Sequence, residues 1–134
     1  MCTDKPYKMK ITKSLFAIGI TAITFFSCSK SNDSFSASGK WEGALIDGSN
    51  GASAFYGLQL NGDGSLTRYK SNGDILATGT YTIIGDSIKA NYQFTNGSKF
   101  SIVGFINKDQ EKMTGTWGSG SNPKGLGSWN ATKK

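Results

Sequence analysis

The chain of 134 residues has no histidine. That removes the commonest general base, the commonest metal ligand and every histidine-based catalytic triad. Its two cysteines, Cys2 and Cys28, both fall in the first 28 residues, so the body of the chain can form no disulfide and offers no thiol chemistry. Positive charge is not concentrated anywhere. Lys5, Lys8, Lys10 and Lys13 against Asp4 account for +3 of the formal +6, and eleven scattered cations against eight acids leave +3 downstream. Without a basic run or face, nucleic acid is not an expected partner. Acids in useful pairs are also missing. Asp63, Asp74, Asp86 and Asp109 stand among turn residues, and nothing holds two carboxylates on facing elements as glycoside hydrolysis requires. Asn61-Gly62-Asp63-Gly64 lacks the further acids and closing Glu of a calcium loop. The chain therefore does not read as an enzyme: no catalytic residue, metal site or cofactor is expected.

Near the N-terminus, Lys10 and Lys13 precede the apolar run Leu15 to Phe26, and Ser27-Cys28 opens a polar stretch. This is the layout of a secretion signal, and the run is shorter than the roughly 20 residues that span a bilayer. Ordinary cleavage and a retained anchor are the alternatives. The cysteine after a small residue resembles the lipobox of bacterial lipoproteins, from which Phe25-Phe26 depart, since Leu and a small residue are usual there. The resemblance implies that residues 1–27 are a signal peptide and that Cys28 is lipidated, with palmitate-type chains. Ser29 in place of an Asp then implies the outer membrane of a bacterial cell envelope. At about 0.8 kcal/mol per buried CH₂, two or three chains anchor a protein durably. Met9 is a second candidate start, making residues 1–8 an upstream extension. Residues 28–37 read as a polar tether and 38–134 as the folded domain.

From residue 39 onward, turn residues recur about every ten positions, separating short segments rich in β-branched and aromatic residues. The pattern predicts strands at 39–47, 53–61, 65–71, 75–84, 87–94, 99–106, 111–117 and 126–132. Asn-Gly, Gly-Asp and Asp-Gly steps at the joints supply the positive φ of tight hairpins. Alternation places Trp41, Gly43 and Leu45 on one face, as it does Ile88, Ala90, Tyr92 and Phe94, and Met113, Gly115 and Trp117. No segment beyond the leader has helical periodicity. The expected fold is all-β: a small antiparallel up-and-down meander of about eight strands forming a barrel, with a two-sheet sandwich as the alternative. Glycines inside strands, Gly43, Gly57, Gly79, Gly104, Gly115 and Gly127, suit sharp coiling.

Ser38-Gly39-Lys40-Trp41-Glu42-Gly43 resembles the Gly-x-Trp opening of lipocalins. Gly79-Thr80-Tyr81-Thr82-Ile83 with Gly85-Asp86-Ser87-Ile88 is similar to a hairpin of small bacterial lipocalin-like lipoproteins. Lipocalins usually cover that tryptophan with an arginine from the last strand, and this chain has no arginine there; Asn130 and Lys133 are the candidate substitutes. The resemblance implies a monomeric, lipid-anchored module for a small apolar or amphipathic ligand. Candidate ligand-binding residues are Trp41, Tyr69, Tyr81, Tyr92, Trp117 and Trp129, with Trp41, Trp117 and Trp129 expected on three adjacent strands, either lining a cavity or filling the core. Alternation puts Tyr69 opposite Arg68 and Lys70: the reading adopted has Tyr69 inward and Arg68 outward as a solubilising residue, and in the alternative an inward Arg68 holds a ligand carboxylate. The alternative function is an interaction protein without a cavity, such as a periplasmic hydrolase inhibitor or a surface-complex subunit. Its candidate tool is the loop 118–125, expected to be long and flexible.

Overall fold

The computed structural model describes residues 34–134; the expected signal peptide, the expected lipidation site Cys28 and most of the segment read as a tether lie outside the described residues. The described chain contains no helix. Its strands are β1 (Gly39–Asp47), β2 (Ser53–Leu60), β3 (Ser65–Tyr69), β4 (Ile75–Ile84), β5 (Ser87–Phe94), β6 (Lys99–Asn107), β7 (Lys112–Ser119) and β8 (Gly127–Lys133). They pair antiparallel in sequence order, and β1 also pairs with β8, from Trp41 with Lys133 to Asp47 with Gly127. The sheet is a closed up-and-down barrel, and closure leaves no strand edge exposed. A sandwich is thereby excluded.

Connections are short because turn chemistry sits where strands must reverse. Between β4 and β5, Gly85 takes a φ of 62°, which a residue with a Cβ adopts only under strain. Odd-numbered strands start at the end that also holds the C-terminus, here the terminal end. The β1–β2, β3–β4, β5–β6 and β7–β8 loops form the opposite, loop end.

The alternating pattern becomes an inside and an outside. Trp41, Tyr56, Leu58, Leu60, Leu66, Ile88, Ile102, Ile106, Met113 and Trp129 are all essentially inaccessible to solvent. Burying a large apolar side chain contributes about 1.5–3 kcal/mol, so this cluster is the principal source of stability. Space for its bulkiest member comes from a glycine. A Cβ on Gly104 would lie 2.6 Å from the Trp129 ring and 2.7 Å from the Thr114 carbonyl, so only a bare backbone lets that indole lie flat on the wall.

The terminal end is sealed from within. Trp41 donates its indole N–H to the Ala37 carbonyl at 2.8 Å, and Phe35 packs on the Trp41 ring with centroids 6.3 Å apart. Lys133, from the last strand, places its Nζ 5.9 Å from the Trp41 ring and bonds the Ser36 carbonyl at 2.5 Å. The cation over the first-strand tryptophan is thus a lysine, and Asn130 is not part of that contact. Phe35 and Ala37, which the sequence groups with the tether, pack against the core.

Candidate functional site at the loop end

The two-residue period of β3 is fixed by Leu66, which is buried in the core. The same phase turns Arg68 inward, where its ladder partners are Leu58 and Ala77, both buried. The expectation of an outward Arg68 and an inward Tyr69 is therefore reversed. After Arg68 the β3–β4 ladder shifts register, and Tyr69 leaves the barrel wall on the outside. There it covers Gly57, packs at a tilt against Phe55 with centroids 6.1 Å apart, and donates to Glu42 Oε1 at 3.2 Å. Tyr69 is buried, but by outer-wall neighbours. Burial and the adjacent Glu42 carboxylate push its hydroxyl up to about 12.

Arg68 is the unusual residue of this fold. It is 9 % exposed, and its guanidinium carbon lies 4.9 Å from the Tyr56 ring centroid, 5.3 Å from Phe94 and 5.8 Å from Tyr92. Its Nε is buried without a hydrogen-bond partner, and among the described residues no carboxylate lies within ion-pairing distance of it. Aromatic faces partly compensate a cation through the ring quadrupole, but they accept no directed N–H bonds. A buried guanidinium is normally matched to a carboxylate or phosphate, since an uncompensated charge in low dielectric is costly.

Around it, four aromatic side chains form a continuous rim on the inward faces of β5, β6 and β7. Tyr92 contacts Phe94 at 5.9 Å and Phe100 at 6.3 Å, Phe94 meets Phe100 edge-on at 5.5 Å, and Phe100 reaches Trp117 at 5.9 Å. Phe94, Phe100 and Trp117 are half-buried, so this rim faces both the core and the solvent at the loop end. The Tyr56 and Tyr92 hydroxyls lie 3.4 Å apart beneath it. Burial raises the Tyr56 hydroxyl well above the ordinary tyrosine range, and it raises Tyr92 less, because Tyr56 and Arg68 pull the other way. Both stay neutral at physiological pH and can act as hydrogen-bond donors or acceptors.

Comparison with protein families, curated proteins and solved structures finds no match for this chain. The site must be read from its own geometry.

The six aromatic candidates divide. Tyr92 and Trp117 belong to the loop-end rim. Trp129 lies deeper, against Tyr56 at 5.7 Å, with its indole N–H directed to the carbonyls of Thr116 at 3.1 Å and Val103 at 3.3 Å. Trp41 seals the terminal end. Tyr81 also belongs to that end, donating to the Asn61 carbonyl at 2.6 Å. Tyr69 is outside. Trp41, Trp117 and Trp129 do face inward on adjacent strands, but they sit at three depths and do not line a common cavity. The sequence signal that could have found Arg68 was the apolar Leu66 two positions before it.

The β7–β8 loop is also different from its expected form. Gly120 N–H donates to the Lys99 carbonyl at 2.9 Å, Ser101 Oγ contacts the Gly120 carbonyl and Asn91, and Thr116 Oγ1 donates to the Pro123 carbonyl at 2.9 Å. These bonds tie the segment back onto the outer wall. Beside it, Thr78, Thr80, Asn91, Gln93, Lys99 and Ser121 border an open groove of about 470 Å³.

Proposed function

We propose that this chain is a lipid-anchored, lipocalin-like binding module that takes the anionic end of a small amphipathic molecule at the loop-end mouth of its barrel. A single observation carries the reading: Arg68 is buried in an aromatic box with no anionic partner among the described residues. A carboxylate or similar oxyanion would give the guanidinium the anionic partner it lacks among the described residues and its Nε a charge-assisted bond. The half-buried rings of Phe94, Phe100 and Trp117 would cover the adjoining apolar part of the ligand. The packed core below favours a short ligand held at the mouth over a long chain threaded through the barrel. The lipobox resemblance at Cys28 places the module at a membrane in this reading, and Lys133 over Trp41 supports the lipocalin resemblance.

Because the 118–125 segment is tied to the wall, the alternative of a cleft-inserting inhibitor lacks the free loop on which it depended. The test is calorimetric titration with decanoate, decanol and decylamine. Decanoate binding that falls about 10- to 100-fold in Arg68→Met supports the site, since a hydrogen bond to a charged group contributes about 1.5–3 kcal/mol. Equal affinity for decanoate and decanol, unaltered in the variant, overturns it.

A further inference from the structure

We propose that the terminal end of the barrel rests against the bilayer, with Ile84 and Phe105 inserted at its surface. This rests on the lipid-anchor reading above. Ile84 is 77 % exposed and Phe105 56 % exposed, the former at the tip of the β4–β5 hairpin and the latter near the end of β6. Ser87 pairs with both, so the two side chains project outward from one cross-strand row, at the same end of the barrel. Large apolar side chains this exposed, adjacent, and at one end of a closed barrel mark a contact surface.

The choice of occupant follows from where the chain enters the fold. Phe35 and Ala37 are fastened at the terminal end through Trp41. Six residues separate Phe35 from Cys28, and a fully extended chain spans at most about 3.3–3.6 Å per residue, so acyl chains on Cys28 hold this end within about 25 Å of the membrane. The loop end, with Arg68 and its aromatic rim, then faces away from the lipid. Charge at the terminal end is compatible with anionic headgroups. Asp86 is paired with Lys108 at 2.9 Å, Glu111 with Lys133 at 3.9 Å and Glu42 with Lys134 at 3.6 Å, and the turn acids Asp63 and Asp109 are matched in number by Lys89 and Lys112, on β5 and β7 beside the Ile84–Phe105 row. Lysines at such a surface add attraction to an anionic leaflet.

The experiment uses the mature lipidated protein reconstituted in phosphatidylethanolamine–phosphatidylglycerol vesicles. Acylated Cys28 does not react with thiol probes, so single variants Ile84→Cys, Phe105→Cys, Asp63→Cys and Asn50→Cys each take one environment-sensitive fluorophore. Asp63 lies at the same end in the β2–β3 turn, outside the Ile84–Phe105 row, and Asn50 at the loop end. The expected result is a blue-shifted emission quenched by brominated lipid at positions 84 and 105, weaker quenching at 63 and none at 50. If the protein floats with vesicles but positions 84 and 105 are not quenched above position 63, the docking inference is overturned while the anchor stands. If the protein does not float with vesicles, anchor and docking fall together. Blue-shifted but unquenched probes at 84 and 105, with cross-linking between copies, would assign the surface to a second copy of the chain and also overturn the inference.

Discussion

Replacing Arg68 by methionine should make the ligand-free protein more stable while removing the proposed anion site. Taking a charged group from water into the protein costs several kcal/mol even after relaxation. An unmade bond at the buried Nε adds about 1–3 kcal/mol to that cost. Against these stand the aromatic contacts to Tyr56 at 4.9 Å, Phe94 at 5.3 Å and Tyr92 at 5.8 Å; a desolvated cation–π contact contributes about 2 kcal/mol and the two longer ones less. Methionine keeps an unbranched, flexible apolar chain among Tyr56, Tyr92 and Phe94 and carries no charge to desolvate. The balance favours Arg68→Met by about 1–2 kcal/mol, which for a domain of this size raises Tm by about 5–10 °C. Urea unfolding followed by tryptophan fluorescence measures this, as a higher midpoint at unchanged slope. The combination decides the matter: a gain in stability with loss of decanoate binding means that the arginine is retained for a ligand at the expense of the fold. A loss of more than about 2 kcal/mol would show that the three rings already satisfy the cation and that the residue is structural, refuting the argument.

Trp129→Ala removes the indole that packs at a tilt against Tyr56 and covers Gly104, and should cost about 3–5 kcal/mol in denaturant unfolding. Gly104→Ala forces that same ring off the wall and should cost about 1–3 kcal/mol, with a change in the near-ultraviolet tryptophan spectrum. Lys133→Ala loses the contact over Trp41 and the bond to Ser36; a loss of about 1 kcal/mol is expected, with faster proteolysis at Phe35. Raised tyrosine values make the domain alkali-sensitive. Tyr69 ionises at about 12 in the folded state, and Tyr56 and Tyr92 are also raised, against about 10 when unfolded. The unfolded state therefore binds fewer protons above pH 10, so this contribution is complete below pH 10 and declines as pH rises towards 12. Absorbance near 295 nm should show these tyrosines ionising together with unfolding, and Tyr56→Phe should reduce the pH slope of stability.

The fold was legible in the sequence because each local signal pointed the same way. Period-two alternation in 39–47, 87–94 and 111–117 assigned their inner faces correctly, and Gly-Asp or Asn-Gly steps marked the reversals. Closure was also readable: short links between eight strands left little room for any crossover. The site was less so. On β3, with five residues, alternation offers two phases, and an aromatic beside an arginine invites the choice that puts the aromatic inside. What decided otherwise was tertiary. Gly57 on the neighbouring strand provides a bare patch of outer wall on which the Tyr69 ring can lie, and the register shift after Arg68 delivers it there. Likewise, three tryptophans on adjacent strands were expected from spacing alone. Their three depths depend on the coiling of the closed sheet, which no local pattern encodes. The sequence by itself thus determined the strands, their order and most inward faces, since these follow from propensity and period. Only the tertiary structure decided that the one arginine is enclosed without an anionic partner among the described residues, because its surroundings are assembled from Tyr56, Tyr92 and Phe94, residues 12 to 26 positions away that meet only when the sheet coils into a barrel.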